Sequence, residues 1–110
     1  MTELGRCGPD WLHDKIVAGD LVVIDGGMGT ELEARRVPMN DKAWSGAALW
    51  THPEVVQVVH AEYIAAGAEV IITNTFGSGQ EALNRAGLGD EMEVINARGV
   101  EVALRAREEV

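Results

Sequence analysis

The residues best suited to binding chemistry lie together at positions 25–30, where an aspartate is followed by a glycine-rich run. A carboxylate beside consecutive free backbone N–H groups matches both charges of an amino acid. Asp25 would bind an α-ammonium group, and the backbone that follows would bind an α-carboxylate. Those backbone donors would come from Gly26, Gly27 and Met28. The run therefore predicts an amino-acid pocket, with a tight turn and a solvated Asp25 as the alternative interpretation.

A second polar stretch follows an apolar run later in the chain and comprises Thr73, Asn74, Thr75 and Phe76. Ligands of parallel α/β folds bind beyond the carboxyl ends of the strands. Both Asp25 and this stretch would occupy such ends, so one interpretation of Asn74 and Thr75 is a role in the site. For Asn74 and Thr75 a role in a turn is an equal alternative.

Two strands are predicted to position these residues. Residues 21–24 are a short, apolar, β-branched run, typical of a strand buried on both faces of a parallel sheet. Residues 69–74 are predicted to form the second strand. A helix is predicted between them over 53–66, because Pro53 suits a first turn and apolar residues recur at spacings of three and four. Further helices are predicted over 9–17, 79–85 and 90–109, and capping boxes at Thr30/Glu33 and Thr51/Glu54.

The alternation of strands and helices predicts an α/β fold with parallel βαβ connectivity. Two strands do not make a self-sufficient sheet, because both edges stay open. We therefore expect the N-terminal portion of a larger α/β domain, incomplete on its own. The alternative is a non-catalytic α/β module that self-associates through its open strands.

Composition narrows the classes of partner. The chain has 110 residues and a formal net charge of −9, which argues against nucleic acid and anionic membrane surfaces as partners. Its single cysteine, Cys7, allows neither an internal disulfide nor a cysteine-built metal site and is interpreted as a bystander thiol. No run reaches the roughly 18–20 apolar residues of a membrane span, and no secretory signal is visible. The sequence is interpreted as that of a cytoplasmic protein.

Several motifs, taken in order, resemble the homocysteine S-methyltransferase family. That family includes betaine- and S-methylmethionine-dependent enzymes and the homocysteine domain of cobalamin-dependent methionine synthase. The resemblance covers about residues 20–105 of this sequence. It rests on residues 25–32, Trp44, Ala47-Ala48-Leu49, His52-Pro53-Glu54-Val55-Val56, His60, Tyr63, Ala66-Gly67-Ala68 and Thr73-Asn74-Thr75-Phe76.

The resemblance implies the first two βα units of a (β/α)8 TIM barrel, with residues 1–110 as a partial homocysteine-binding domain truncated after the second unit. It implies transfer of a methyl group to the sulfur of homocysteine, giving methionine, with betaine, S-methylmethionine or methyl-cobalamin as the donor. On the matching positions, Asp25 would contact the homocysteine amino group and the backbone of residues 26–28 its carboxylate. Residues 73–76 would form part of the wall of the site.

The resemblance also implies a zinc ion that binds homocysteine as a thiolate and is held by cysteines of later Asn-Cys and Gly-Gly-Cys-Cys motifs. Neither motif is present in this sequence. No metal ligand and no catalytic residue is therefore assigned to these 110 residues, and on their own they are expected to be inactive.

Other conspicuous side chains are given ordinary roles. The histidines form no helical metal pair and are interpreted as structural or surface residues; they are His13, His52 and His60. Trp44 and Trp50 are interpreted as packing residues, with contact to a methyl donor as the alternative. Tyr63 lies on the apolar stripe of its helix and is interpreted as a core residue.

Overall fold

The computed structural model describes residues 9–110, and helices dominate this part of the chain. The helices are α1 (Pro9–Val17), α2 (Gly29–Ala34), α3 (Ala48–Thr51), α4 (Pro53–Ala65), α5 (Gln80–Arg85) and α6 (Met92–Glu109). Short 3-10 turns precede α3 at Ser45–Ala47 and α6 at Gly89–Glu91. The four predicted helices are confirmed, with ends that differ by at most two residues. In the part of the chain described, no helix is both long and apolar enough to cross a membrane.

The core forms where α4 lies against α6, the most extensive contact between two helices. The two helices bury Val56, Val59, Ile95 and Val102, and the shorter helices α2, α3 and α5 add Leu32, Leu49 and Leu83. Full burial of one such side chain contributes about 1.5–3 kcal/mol. Packing of these apolar faces therefore stabilises the helices more than their intrinsic propensity does.

The prediction of two strands is wrong, because residues 9–110 contain no strand or sheet. The segments 21–24 and 69–74 do lie side by side, but they share only one parallel bridge, between Ile24 and Val70. In this bridge the Val70 N–H donates to the Val23 carbonyl at 3.3 Å, and the Asp25 N–H donates to the Val70 carbonyl at 3.1 Å. The predicted α/β fold with two βα units of a TIM barrel is thus corrected to a helical architecture.

Acidic side chains explain why the bridge does not extend into a ladder. On one side of it the Val23 N–H donates to Glu69 Oε1 at 3.2 Å, and on the other the Ile72 N–H donates to Asp25 Oδ2 at 2.9 Å. A regular parallel ladder would direct both donors to backbone carbonyls. Side-chain acceptors can compete with secondary structure in this way.

The predicted burial of residues 21–24 on both faces is also wrong, and the second segment is exposed at Ile72. Leu21 is 88% exposed, and Val23, Ile24 and Ile72 are each more than half exposed. The helices described here leave these side chains uncovered. The hydrophobic burial that would favour a regular strand is therefore missing on these faces.

Two loops approach each other closely because each carries a glycine. A Cβ built on Gly46 would lie 2.8 Å from the carbonyl carbon of Gly77, and one built on Gly77 would lie 2.5 Å from the carbonyl oxygen of Ala43. Asn96 of α6 reinforces the second loop, since its side-chain amide donates to the Ser78 carbonyl at 2.9 Å. These contacts hold residues 43–46 against residues 77–78.

The predicted capping boxes do not form. The N-caps of α2 and α4 are Met28 and His52, and neither makes a side-chain capping bond. Thr51 instead donates its hydroxyl to a backbone carbonyl one turn earlier, at 3.3 Å. The signal for the start of α4 is confirmed, because Pro53 lies in its first turn. Gly67, with a φ of 118°, follows the end of the helix.

Replacing Gly46 by alanine tests the close approach of the two loops. The added methyl group would meet the backbone of Gly77 rather than a flexible side chain. We therefore expect Gly46→Ala to lower the free energy of unfolding by about 1–3 kcal/mol, measured by urea denaturation. Gly79→Ala is the matched control, because nothing lies within 4 Å of a Cβ there and a φ of −70° suits alanine. Equal stability of the two variants would contradict the loop contact.

Candidate functional site

Asp25 lies partly buried at the end of the first extended segment. Its Oδ2 accepts the Ile72 N–H at 2.9 Å, and its own N–H donates to the Val70 carbonyl at 3.1 Å. Within residues 9–110 no hydrogen bond reaches Oδ1. The carboxylate is thus fixed through one oxygen and presents the other as a free acceptor, which suits a cationic donor such as an ammonium group.

Tyr63 on α4 supports the glycine run that follows Asp25. Its hydroxyl donates to the Gly27 carbonyl at 2.9 Å, and a Cβ on Gly26 would lie only 2.8 Å from that hydroxyl. Gly26 is therefore needed because the tyrosine approaches the backbone closely. The ring of Tyr63 packs against the apolar core, as predicted, while its hydroxyl holds the loop.

Three consecutive backbone donors lie next to Asp25. The N–H groups of Gly26, Gly27 and Met28 donate to no other group in the described part of the chain. Neither glycine has a positive φ, so the alternating backbone conformation of an anion-binding nest is not adopted. Helix α2 is only six residues long, and we give its N-terminal end no role in binding. The run would therefore bind an anion through hydrogen bonds from its free N–H groups.

Asn74 is buried, and both ends of its side-chain amide bind Ser45. The Ser45 hydroxyl donates to Asn74 Oδ1 at 3.0 Å, and Asn74 Nδ2 donates to the Ser45 carbonyl at 2.9 Å. Asn74 thereby ties the second extended segment to the loop before α3. This geometry favours a structural role for Asn74.

The other predicted residues of the stretch 73–76 differ from one another in exposure. Thr73 and Thr75 are partly buried, and their hydroxyl oxygens lie 2.8 Å apart in a hydrogen bond. The side chain of Phe76 is 94% exposed. The structure therefore brings Asp25 to the backbone of Ile72 directly before this stretch, while Phe76 stands in solvent.

An open cavity of about 430 Å³ lies close to the glycine run. Its lining residues are Glu33, Val37, Met39, Asn40 and Trp44. The cavity adjoins the run because the methyl carbon of Met39 lies 3.5 Å from the position of a Cβ on Gly29. The cavity therefore adjoins the end of the run at Gly29, and its lining residues include none of residues 25–28.

Trp44 is the most conspicuous side chain of this cavity. It is 62% exposed and has a φ of 51°, so it is not the packing residue that the sequence predicts. Non-glycine residues with positive φ are uncommon and often occur at functional sites. Trp50, by contrast, packs against Arg98, whose guanidinium carbon lies 5.1 Å from the centre of a Trp50 ring.

His60 on α4 is completely buried, and neither of its ring nitrogens has a hydrogen-bond partner. Burial lowers the pKa of His60 below its usual value of 6.5, and the negative charge of Asp25 partly opposes that shift. His60 is therefore neutral at pH 7. A buried polar group without a partner costs about 1–3 kcal/mol, so this histidine is an unusual choice for a core position.

Sequence reasoning missed three contributions to this site. The bond of Tyr63 to Gly27 joins residues 36 positions apart, and the burial of His60 without a hydrogen-bond partner leaves no signal in the sequence. Ser45 gives no local signal, because its partner Asn74 lies 29 positions later. Long-range pairs of small polar residues leave no periodic pattern in a sequence.

The described residues do not fit a zinc site. No cluster of three or more His, Cys, Asp or Glu side chains that could hold a metal ion occurs among residues 9–110. Cys7 lies outside the described residues. We derive no chemical step of this chain from zinc.

Comparison with known proteins now identifies the class. Residues 22–110 match the family model described as Homocysteine S-methyltransferase, and the chain belongs to this family. The resemblance noted from the motifs is thereby confirmed.

Three relatives illustrate the similarity. Homocysteine S-methyltransferase 2 of Zea mays is 39% identical over 92 residues, 83% of this chain and 27% of the relative. Selenocysteine methyltransferase of Astragalus bisulcatus is 37% identical over 100 residues, 90% of this chain and 29% of the relative. Homocysteine S-methyltransferase YbgG of Bacillus subtilis is 39% identical over 90 residues, 81% of this chain and 29% of the relative. The chain thus spans less than a third of the length of these relatives.

The buried histidine predicts how stability depends on pH. Because its pKa is lowered on folding, the unfolded chain binds more protons at His60 than the folded chain below about pH 6.5. We expect the free energy of unfolding to fall with decreasing pH below about 6.5, by at most about 1.4 kcal/mol per pH unit from this group. Urea denaturation between pH 7.5 and 5 measures the slope.

The variant His60→Leu isolates this contribution, since leucine does not titrate. We expect a shallower loss of stability with acid in His60→Leu than in the unmodified protein. His13→Gln is the control, because His13 is exposed. Identical slopes in the unmodified protein and His60→Leu would contradict the assigned burial of a neutral imidazole.

Proposed function

We propose that this chain supplies the homocysteine-binding part of a methyltransferase that moves a methyl group to the homocysteine sulfur and gives methionine. Membership of the homocysteine S-methyltransferase family supports the reaction class. The observation that carries the binding role is the free Oδ1 of Asp25 next to three free backbone N–H groups. An α-ammonium and an α-carboxylate lie on neighbouring atoms of any amino acid, so one ligand can satisfy both.

In this proposal the chain acts by holding the substrate. The ammonium group of homocysteine binds Asp25 Oδ1, and its carboxylate accepts hydrogen bonds from the backbone of residues 26–28. Tyr63 keeps that backbone in place through its bond to Gly27. Fixing the amino-acid end restricts where the sulfur can lie, which lowers the entropic part of the activation free energy.

No side chain of these residues needs to attack the methyl group. The substrate sulfur, as a thiolate, forms the new bond to the methyl carbon, and the bond from that carbon to the donor breaks with its electron pair passing to the donor. Ionisation of the thiol is left to the rest of the protein, for which zinc is proposed on the family resemblance alone.

The substitution Asp25→Asn tests the binding role. Asparagine keeps a side-chain oxygen to accept the Ile72 N–H but removes the charge that attracts the ammonium group. Loss of one charge-assisted contact costs about 1.5–3 kcal/mol, so we expect kcat/KM for homocysteine to fall roughly 10- to 150-fold in the intact protein. Steady-state kinetics at varied homocysteine concentration provides the measurement.

Glu69→Gln is the matched control for Asp25→Asn. Glu69 also accepts a backbone N–H beside the parallel bridge, that of Val23, but it does not adjoin the glycine run. We expect homocysteine kinetics close to those of the unmodified protein. A similar loss of kcat/KM in both variants would indicate that homocysteine binding depends on the bridge and not on the charge of Asp25.

The exposed tryptophan favours a particular kind of methyl donor. An aromatic face attracts cations, above all quaternary ammonium and other onium groups, and Glu33 adds a negative charge to the same cavity. Of the three donors, betaine and S-methylmethionine are onium compounds. We therefore propose a small onium donor at Trp44.

The pair Trp44→Leu and Trp44→Phe tests the donor site. A cation–π contact contributes about 0.5–2 kcal/mol, so we expect Trp44→Leu to raise KM for the onium donor roughly 2- to 30-fold and Trp44→Phe to raise it less. KM for homocysteine should change little. Trp50→Leu serves as the control, because Trp50 packs on Arg98 instead of lining the cavity. Activity with methyl-cobalamin but with neither onium compound would overturn this proposal.

A further inference from the structure

The open cavity that contains Trp44 has a further polar side chain, Asn40, to which the proposed function gives no role. The Oδ1 atom of Asn40 accepts two backbone N–H groups, that of Lys42 at 2.7 Å and that of Ala43 at 2.9 Å. Only the oxygen of an amide accepts hydrogen bonds, so these two bonds fix which end of the side chain is which. In the described part of the chain, the two N–H donors of Asn40 Nδ2 have no partner.

The backbone places Asn40 directly beside Trp44. The Asn40 N–H donates to the Trp44 carbonyl at 3.3 Å, and the Trp44 N–H donates to the Asn40 carbonyl at 2.7 Å. These two bonds form an antiparallel bridge. Side chains that face each other in such a bridge leave the backbone on the same side, with Cβ atoms about 4.5–5.5 Å apart. The amide of Asn40 and the indole of Trp44 therefore begin at neighbouring points of one cavity.

The charges around the cavity match a ligand with two different ends. Glu33 lines it and attracts a cation to the indole of Trp44. Among the described residues no cationic side chain lines the cavity. Lys42, in the same turn as Asn40, is not a lining residue, and its ammonium group pairs with Asp41 at 3.9 Å. An anionic group in the cavity would therefore find its hydrogen-bond donors on the Nδ2 of Asn40.

We propose that Asn40 binds the carboxylate of the methyl donor and thereby restricts the cavity to onium compounds that also carry a carboxylate. The inference rests on the proposed onium site at Trp44. In the complex, Asn40 Nδ2 donates an N–H to the carboxylate while the onium group lies against the indole. Betaine and S-methylmethionine both combine these two charges in one small molecule. An onium compound without a carboxylate has only Trp44 and Glu33 as partners.

Calorimetric titration of the intact, unmodified protein with betaine and with tetramethylammonium tests the inference without any variant. The two ligands share a methylated ammonium group, and only betaine has a carboxylate. A hydrogen bond to a charged group corresponds to a factor of roughly 10 to 150 in affinity, so we expect Kd for betaine to be lower by about that factor. Equal affinity for the two ligands would overturn the inference, even if no variant folded.

The variant Asn40→Asp separates recognition of the carboxylate from support of the turn. Aspartate keeps an oxygen that accepts the N–H groups of Lys42 and Ala43. It replaces the Nδ2 donors by a second oxygen, which repels a carboxylate. We expect Kd for betaine to rise roughly 10- to 150-fold and Kd for tetramethylammonium not to rise. An equal rise for both ligands would show that Asn40 only supports the turn, and would overturn the inference.

Lys42→Met is the control for the cation of the same turn. Because Lys42 is not a lining residue, we expect this variant to bind betaine as tightly as the unmodified protein does. Weaker binding of betaine in Lys42→Met, with no change in Asn40→Asp, would assign the carboxylate to the lysine and overturn the role of Asn40.

The outcomes also separate this inference from the proposed onium site. Equally tight binding of tetramethylammonium and betaine, lost in both cases in Trp44→Leu, overturns the role of Asn40 and leaves the onium site standing. Binding of neither ligand by the unmodified protein overturns both. Preference for betaine that disappears in Asn40→Asp supports both.

Discussion

The hydrogen bond from the Ile72 N–H to the carboxylate of Asp25 is the contact on which the candidate site depends. It joins two segments that lie 47 positions apart in the sequence. Because it uses a side-chain oxygen, it also stops the backbone pairing that begins at Ile24 and Val70. The same bond therefore fixes the orientation of the carboxylate and limits the two segments to one bridge. A carboxylate used in this way is partly shielded from water yet keeps one oxygen for a ligand.

The helices could be predicted because their signals are local. Pro53 and Gly67 mark the two ends of α4, and the apolar stripe between them is the face that meets α6. In α6 the ion pair between Glu101 and Arg105, four positions apart, is a local contact of the same kind. Signals of this kind require no knowledge of what lies elsewhere in the chain.

The strands could not be predicted reliably for the opposite reason. Runs of β-branched residues indicate that a segment is extended, which residues 21–24 are, but not that it is paired and covered. Whether Val23 and Ile72 donate to a neighbouring backbone or to a carboxylate depends on Glu69 and Asp25, each far from its partner in sequence. For the candidate site, the sequence indicated Asp25 and the glycine run, whereas the hydrogen bond from Tyr63 on α4 to that run emerged only from the structure.

The loop of residues 74–78 is tethered at both ends, by Asn74 to Ser45 and by Ser78 to Asn96 of α6. A loop held in this way cannot open unless the helix that anchors it also moves. Residues 21–24 are joined to residues 69–70 by the bridge and by hydrogen bonds between Val23 and Glu69, and in the described part of the chain no hydrogen bond joins them to a helix. The loop of residues 74–78 therefore unfolds together with α6, as one cooperative unit. Local unfolding of residues 21–24 costs much less free energy. Amide hydrogens on the two sides of the site should therefore exchange with solvent on different timescales, and the carboxylate of Asp25 lies on the boundary between the two units.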